Sequence, residues 1–181
     1  MAGYRRIDEA ETRRRLVEKS LQASGWWPIV DYVRGAKYDT EAVREYETVE
    51  GDADYVLFHK GEALAAVEAK RLSLGPQNVL SQAQRYSRGY REGRFRFGDF
   101  RIPFIYSTNG VVIWFQDLTE ERSRSRQVTK FHSPMALREF LARDQAKAFE
   151  WLKEHPNDNP DLYPFQREAI DAVEQSLRAG K

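Results

Sequence analysis

The chain has 181 residues, 41% hydrophobic and 13% aromatic, which suits one ordinary domain or one domain plus part of a second. Its net charge of +1 says nothing about partners, and 31% charged residues lower the mean hydropathy without reaching a disordered composition. The absence of cysteine excludes a disulfide framework, a thiolate metal site and a cysteine nucleophile. His59, His132 and His155 are scattered without metal-ligand spacing, which argues against zinc. No window approaches the roughly 18 apolar residues of a membrane span, so a soluble, cytoplasmic protein is expected. Charge is unevenly spread: Arg13 to Arg15, Arg85 to Arg101 and Arg122 to Arg126 are arginine-dense, and acids gather between Asp39 and Asp54.

Asp8 to Ser24 reads as a helix. Asp8 and Glu11 have capping-box spacing, Leu16, Val17 and Leu21 form an apolar stripe, and Gly25 ends it. Trp26-Trp27-Pro28 breaks the pattern before a short extended piece, Ile29 to Val33. Ala42 to Thr48 carries a weak apolar signal and is expected as a strand near a sheet edge. Ala53 to Phe58 and Glu62 to Lys70 are two clear strands. Reading His59-Lys60-Gly61 as a three-residue loop with a bulge sets Phe58 opposite Glu62 and Asp54 opposite Ala66. Residues 54, 66, 68 and 70 then share one face by period-two geometry, whereas a two-residue loop would separate Asp54 from Glu68.

Pro76 and Gln77 open a helix running to about Tyr90. Ile102 to Ser107 and Val111 to Phe115 are apolar runs separated by Asn109-Gly110, a strong hairpin signal. Asp117 to Lys130 reads as a polar loop. Ser133-Pro134 is an N-cap and N1 pair for a helix through Arg143, and a further helix to Glu154 is expected. HPNDNPDLYP, with 3 prolines in 10 residues, reads as a linker, after which Phe165 to Leu177 restarts as an amphipathic helix. These patterns suggest three parts: residues 1–132, a helical extension over 133–155, and 156–181 as linker and first helix of a further domain.

The chemistry concentrates at Val67 to Arg71, where a carboxylate and an ammonium end an apolar strand. Ionised groups in such a setting need a partner, hydrogen bonds or a metal. Asp54, Glu68 and the backbone carbonyl of Ala69 could supply oxygens to Mg²⁺, with Mn²⁺ as a substitute. Lys70 would stabilise charge at an attacking water or at phosphorus. The plain alternative is a strand end closed by a surface salt bridge. Arg85, Arg88, Arg91 and Arg94 interleave with aromatic residues beside this position and could contact DNA phosphates, or form a solvated face.

ADYVLFHKGEALAAVEAKR resembles the core of the PD-(D/E)XK nucleases, and more narrowly the N-terminal domain of the restriction (motor) subunit of type I restriction-modification enzymes. Asp54 matches the family's metal-binding Asp, with Ala53 where proline is frequent, and Glu68 and Lys70 match its E-x-K pair. Gln82 and Tyr86 match the Q-x-x-x-Y motif that follows, one helical turn apart; Tyr86 could also simply pack on the sheet. EAETRRRLVEKSLQASGW resembles the opening helix, with Glu11 the best match to an acid facing the active site. STNGVVIW and FHSP resemble the closing strands and the start of the next helix. YPFQREAI resembles the glutamine motif of a superfamily-two helicase core, which makes Gln166 the adenine reader.

The resemblance implies an α/β fold: a restriction-endonuclease-like core with a central mixed β-sheet flanked by helices, and a C-terminal helical extension. It implies Mg²⁺-dependent cleavage of double-stranded DNA without sequence specificity of its own. ATP would act only through a motor absent from this sequence, and the partners would be specificity and methyltransferase subunits. The competing reading is a non-catalytic DNA-binding or assembly module on the same fold. A stand-alone nuclease is a third, against which the glutamine motif speaks.

Overall fold

The computed structural model describes residues 9–69, 77–93, 95–120, 123–143 and 161–178. Lys70 and Arg94, the helix expected up to Glu154 and the linker as far as Pro160 lie outside them. Two compact units are distinguished, Met1–Leu141 and Ala142–Lys181. In the first, helix α1 (Glu9–Ala23) precedes β1 (Ile29–Asp31), β2 (Ala42–Thr48), β3 (Gly51–His59) and β4 (Glu62–Ala69). Helix α2 (Gln77–Gly89) follows, then β5 (Phe104–Thr108), β6 (Ile113–Asp117), β7 (Arg126–Val128) and helix α3 (Pro134–Ala142).

The seven strands form one sheet in chain order. It is mixed: β1 with β2 and β4 with β5 are parallel, and the other neighbours are antiparallel. Each face carries its own core. On one, Val17, Leu21 and Leu137 meet Tyr55, Leu57, Val67, Phe104, Tyr106 and Phe115. On the other, Ala83, Tyr86 and Tyr90 meet Val56, Ala66 and Ile105. The result is a helix–sheet–helix sandwich, the expected α/β class. β4 is buried continuously from Ala63 to Glu68, the signature of a strand covered on both faces.

Several elements differ from the sequence reading. β2 has the expected bounds and lies near the sheet edge as expected, second in order because the three residues of β1, expected only as a short extended piece, pair outside it through Ile29↔Ala42. The polar stretch 117–130 contains β7, whose Arg126 guanidinium sits 5.1 Å from the Phe115 ring centroid. An edge strand held by its backbone and a cation–π contact needs no apolar alternation, so composition hides it. Thr108 pairs with Ile113, leaving a loop of residues 109–112 rather than a two-residue Asn-Gly turn. Asn109 Oδ1 accepts the Val111 and Val112 amides at 2.9 and 2.8 Å, so the asparagine organises a wider turn.

The β3–β4 hairpin corrects the expected register. Its loop is two residues, with His59 paired to Glu62. Lys60 and Gly61 have φ of 53° and 73°, the left-handed values of a type I′ turn. The three-residue reading failed because Lys60 adopts a conformation usually left to Gly or Asn. The ladder then shifts between Leu57↔Ala65 and Phe58↔Ala63, so Leu64 is an extra, bulged residue. Leu64 and Ala65 both enter the same core. This bulge restores the parity that the shorter loop removes: beyond Val56↔Ala66 and Tyr55↔Val67, the next level holds Asp54 and Glu68.

The second unit is described through helix α4 (Pro164–Arg178). The Tyr163 amide donates to Gln166 Oε1 at 3.0 Å, a capping-box contact, and the Tyr163 and Phe165 rings stack at 5.8 Å.

Candidate active site

The site is built at the start of β3 and the end of β4. Glu68 is 3% exposed, an acid buried at the end of an apolar strand. Across from it, Asp54 Oδ2 accepts the Ala69 amide at 2.5 Å, so a side chain takes the place of a backbone acceptor there. The β2–β3 ladder omits the position between Arg44↔Tyr55 and Tyr46↔Ala53. That position belongs to Glu45 and Asp54, and Glu45 has a left-handed φ of 49°. The backbone distortion and the side-chain substitution coincide at Asp54.

Helix α2 roofs the pair. Its Tyr86 is 3% exposed, and Gln82 Nε2 donates to the Tyr86 hydroxyl at 2.7 Å. Burial raises the Tyr86 phenol above its ordinary pKa of 10, reinforced by the Glu68 charge, opposed by the hydrogen bond from Gln82, and helped further by a hydrogen bond to Glu68 and the charge of Asp54. The phenol therefore stays protonated and donates to Glu68. Asp54 and Glu68 stand at one level of the β3–β4 ladder, on the face that α2 covers.

The docking of α2 fixes this arrangement. Gly89 lies against the β2–β3 turn, where a Cβ would meet the Glu50 nitrogen at 2.7 Å, and the Val49 amide donates to the Gly89 carbonyl at 3.1 Å. Buried Ser87 donates to the Ile102 carbonyl at 2.7 Å and accepts the Ile102 amide at 3.0 Å. A small residue and a hydroxyl thus set the height of Gln82 and Tyr86 above the sheet.

Helix α1 carries Glu11, the acid expected from the opening helix. Glu11 lies near its start, with its side chain outside the described set. Glu18 of the same helix is joined to the sheet, accepting from Arg14 at 2.9 Å, Arg44 at 3.1 Å and the Tyr55 hydroxyl at 3.3 Å. Burial alone would raise the Glu18 carboxyl, but the hydrogen bonds and charges of Arg14 and Arg44 outweigh it and hold the group below its ordinary value. Its spacing of four from Arg14 was the available signal.

The arginines divide by role. Arg96 donates to the Gly93 and Phe95 carbonyls, and Arg101 to those of Gly98 and Phe100, so both brace the loop after α2. Arg88 lies 4.9 Å from the Phe100 ring centroid, and Arg85 reaches the Glu50 carbonyl at 3.4 Å. Arg85, Arg88 and Arg91 are exposed. Gln166 lies in the second unit, capping α4.

The donor set suits a hard cation. Two carboxylates and the Ala69 carbonyl offer only oxygen, and Mg²⁺ takes one or two carboxylates and keeps several waters. Among the described residues no three His, Asp or Glu side chains gather as a metal cluster, so water would complete the shell. Nor is any helix among them long and apolar enough to cross a membrane.

The family model for the second domain of the type I restriction enzyme EcoKI endonuclease subunit matches residues 30–141. The EcoKI endonuclease subunit of Escherichia coli (strain K12) is 27% identical to the chain, over 94% of the chain and 19% of that subunit. The chain therefore spans about a fifth of the curated relative it matches. In fold it is similar to the solved fragment of a proposed HsdR subunit of a type I restriction enzyme from Vibrio vulnificus YJ016. There the TM-score is 0.52 at 24% identity, covering 75% of this chain and 25% of that one. With residues 30–141 in the second-domain family, the chain belongs to the type I restriction enzyme endonuclease subunits, as part of their N-terminal endonuclease region.

Proposed function

We propose that this chain is the catalytic nuclease domain of a cytoplasmic restriction subunit, hydrolysing phosphodiester bonds of double-stranded DNA in a Mg²⁺-dependent reaction, with Mn²⁺ as a substitute. The observation that carries this reading is the convergence of Asp54 and Glu68 beneath Tyr86 in a chain of this family. Asp54, Glu68 and the Ala69 carbonyl would hold the cation, which when bound supplies polarisation of the phosphate and acidification of a water. Tyr86, kept protonated, orients Glu68 through its hydroxyl, and Gln82 orients Tyr86. Lys70, next in sequence to Ala69, is proposed to stabilise charge at the attacking water or the phosphorus. Arg85, Arg88 and Arg91 are proposed to hold DNA phosphates, giving affinity without sequence preference. Target choice would fall to the specificity and methyltransferase subunits, and ATP would serve a motor elsewhere in the full subunit.

The test is cleavage by the reconstituted full complex with Glu68→Ala or Lys70→Ala in the restriction subunit. Loss of cleavage with ATP hydrolysis retained is expected for both. Undiminished cleavage by the Lys70→Ala complex would favour a non-catalytic module and sink the catalytic reading.

A further inference from the structure

The register that brings Glu68 to the site continues into the next two strands. Glu68 pairs with Ser107 on β5, and Ser107 pairs with Trp114 on β6. Ile105, two residues before Ser107, and Trp114 belong to the core beneath α2, so Ser107 and Trp114 share the Glu68 face. Directly paired side chains on neighbouring strands stand about 5 Å apart, close enough for one small molecule to touch several.

One polar group in this row, on Trp114, is unexplained by the fold. Ser107 is 2% exposed and stands between Glu68 and Trp114 in this row. The Trp114 indole nitrogen is buried with no hydrogen-bond partner. Burying a polar group without a partner costs roughly 1–3 kcal/mol, so the indole N–H calls for one, and the Ser107 hydroxyl stands between it and the buried Glu68 carboxylate. A buried water fits, since it needs two to four polar neighbours.

We propose that Ser107 and Trp114 are positioning residues of the active site: they hold a water against the Glu68 carboxylate and so orient it toward a divalent cation. Ser107 and the indole N–H fix the water, and the water donates to Glu68. This inference rests on the proposed metal-dependent nuclease reading of Asp54 and Glu68.

The test is Mn²⁺ binding to this chain by calorimetry, with the thermal midpoint measured in parallel. Ser107→Thr and Ser107→Val fill the same volume and differ in the hydroxyl alone. The Val variant should bind roughly tenfold more weakly than the Thr variant, the scale for losing support behind a metal ligand. Trp114→Phe should weaken binding in the same direction. Equal Mn²⁺ affinity in the Val and Thr variants overturns the role of Ser107 and leaves the metal site standing. Should the Val variant not fold, wild-type affinity in Trp114→Phe overturns the proposal instead. No Mn²⁺ binding by the wild type would instead overturn the nuclease-site reading, and this inference with it.

Discussion

The Ala69 amide donates to the Asp54 carboxylate at 2.5 Å, joining the two strands of the candidate site through a side chain rather than a ladder bond. This gives Asp54 a structural role beside the proposed chemical one. Asp54→Ala leaves the Ala69 amide without its acceptor, and an unmade hydrogen bond at a half-buried group costs about 1 kcal/mol. Urea unfolding should show a loss of that size, together with loss of Mn²⁺ binding. Unchanged stability would show that the contact contributes nothing.

Tyr86→Phe removes the hydroxyl that links Gln82 to Glu68. It should cost about 1 kcal/mol of stability and weaken Mn²⁺ binding several-fold, because Glu68 loses the donor that orients it. Since burial and the Glu68 charge raise the phenol, Tyr86 should contribute no phenolate absorbance at pH 10. A Tyr86-dependent phenolate signal at that pH would contradict the contact.

Gly89→Ala places a methyl group 2.7 Å from the Glu50 nitrogen and 2.9 Å from Thr48 Oγ1. Backbone cannot yield as a flexible side chain can, so α2 must shift, at a cost of about 1–3 kcal/mol. The thermal midpoint should fall by several degrees, and cleavage by the full complex should fall with it because Tyr86 rides on the same helix.

Lys60 occupies the left-handed region in the type I′ turn. Lys60→Gly or Lys60→Asn should raise stability by about 0.5–1 kcal/mol, and Lys60→Val should lower it, since a β-branched residue is worst there. Denaturant midpoints decide the order Gly or Asn above Lys above Val.

His59 ties stability to pH. Burial lowers its pKa below 6.5, reinforced by the positive charges of Arg138 and Lys60 and opposed by Asp39. Arg138 on α3 pairs with Glu62 and donates to the His59 carbonyl, so the cation is held beside the ring. A depressed histidine means that the unfolded chain takes the proton first. Stability is therefore full above pH 6.5 and declines as pH falls through the folded value. The depressed Glu18 carboxyl adds a separate loss below 4.5. Denaturant unfolding from pH 7.5 to 5 should show the first decline, and His59→Gln should remove it.

How much of this was legible is best judged from particular residues. Sequence by itself determined the strand class of β3 and β4, the bounds of β2 and the span of α2, because those depend on local periodicity and apolar content. It also singled out Asp54 and Glu68 as a candidate pair, since carboxylates at the ends of buried strands are a local pattern, and the family resemblance added Gln82 and Tyr86 as candidates. Tertiary structure decided whether the two acids meet. Loop length alone would have set them on opposite faces, and the bulge at Leu64, which no local signal marks, returned them to the same level. Ser107, Trp114 and Glu18 gained their places in the same way, from register and helix docking. Those are fixed by how whole faces are buried, and a chain read one residue at a time does not contain them.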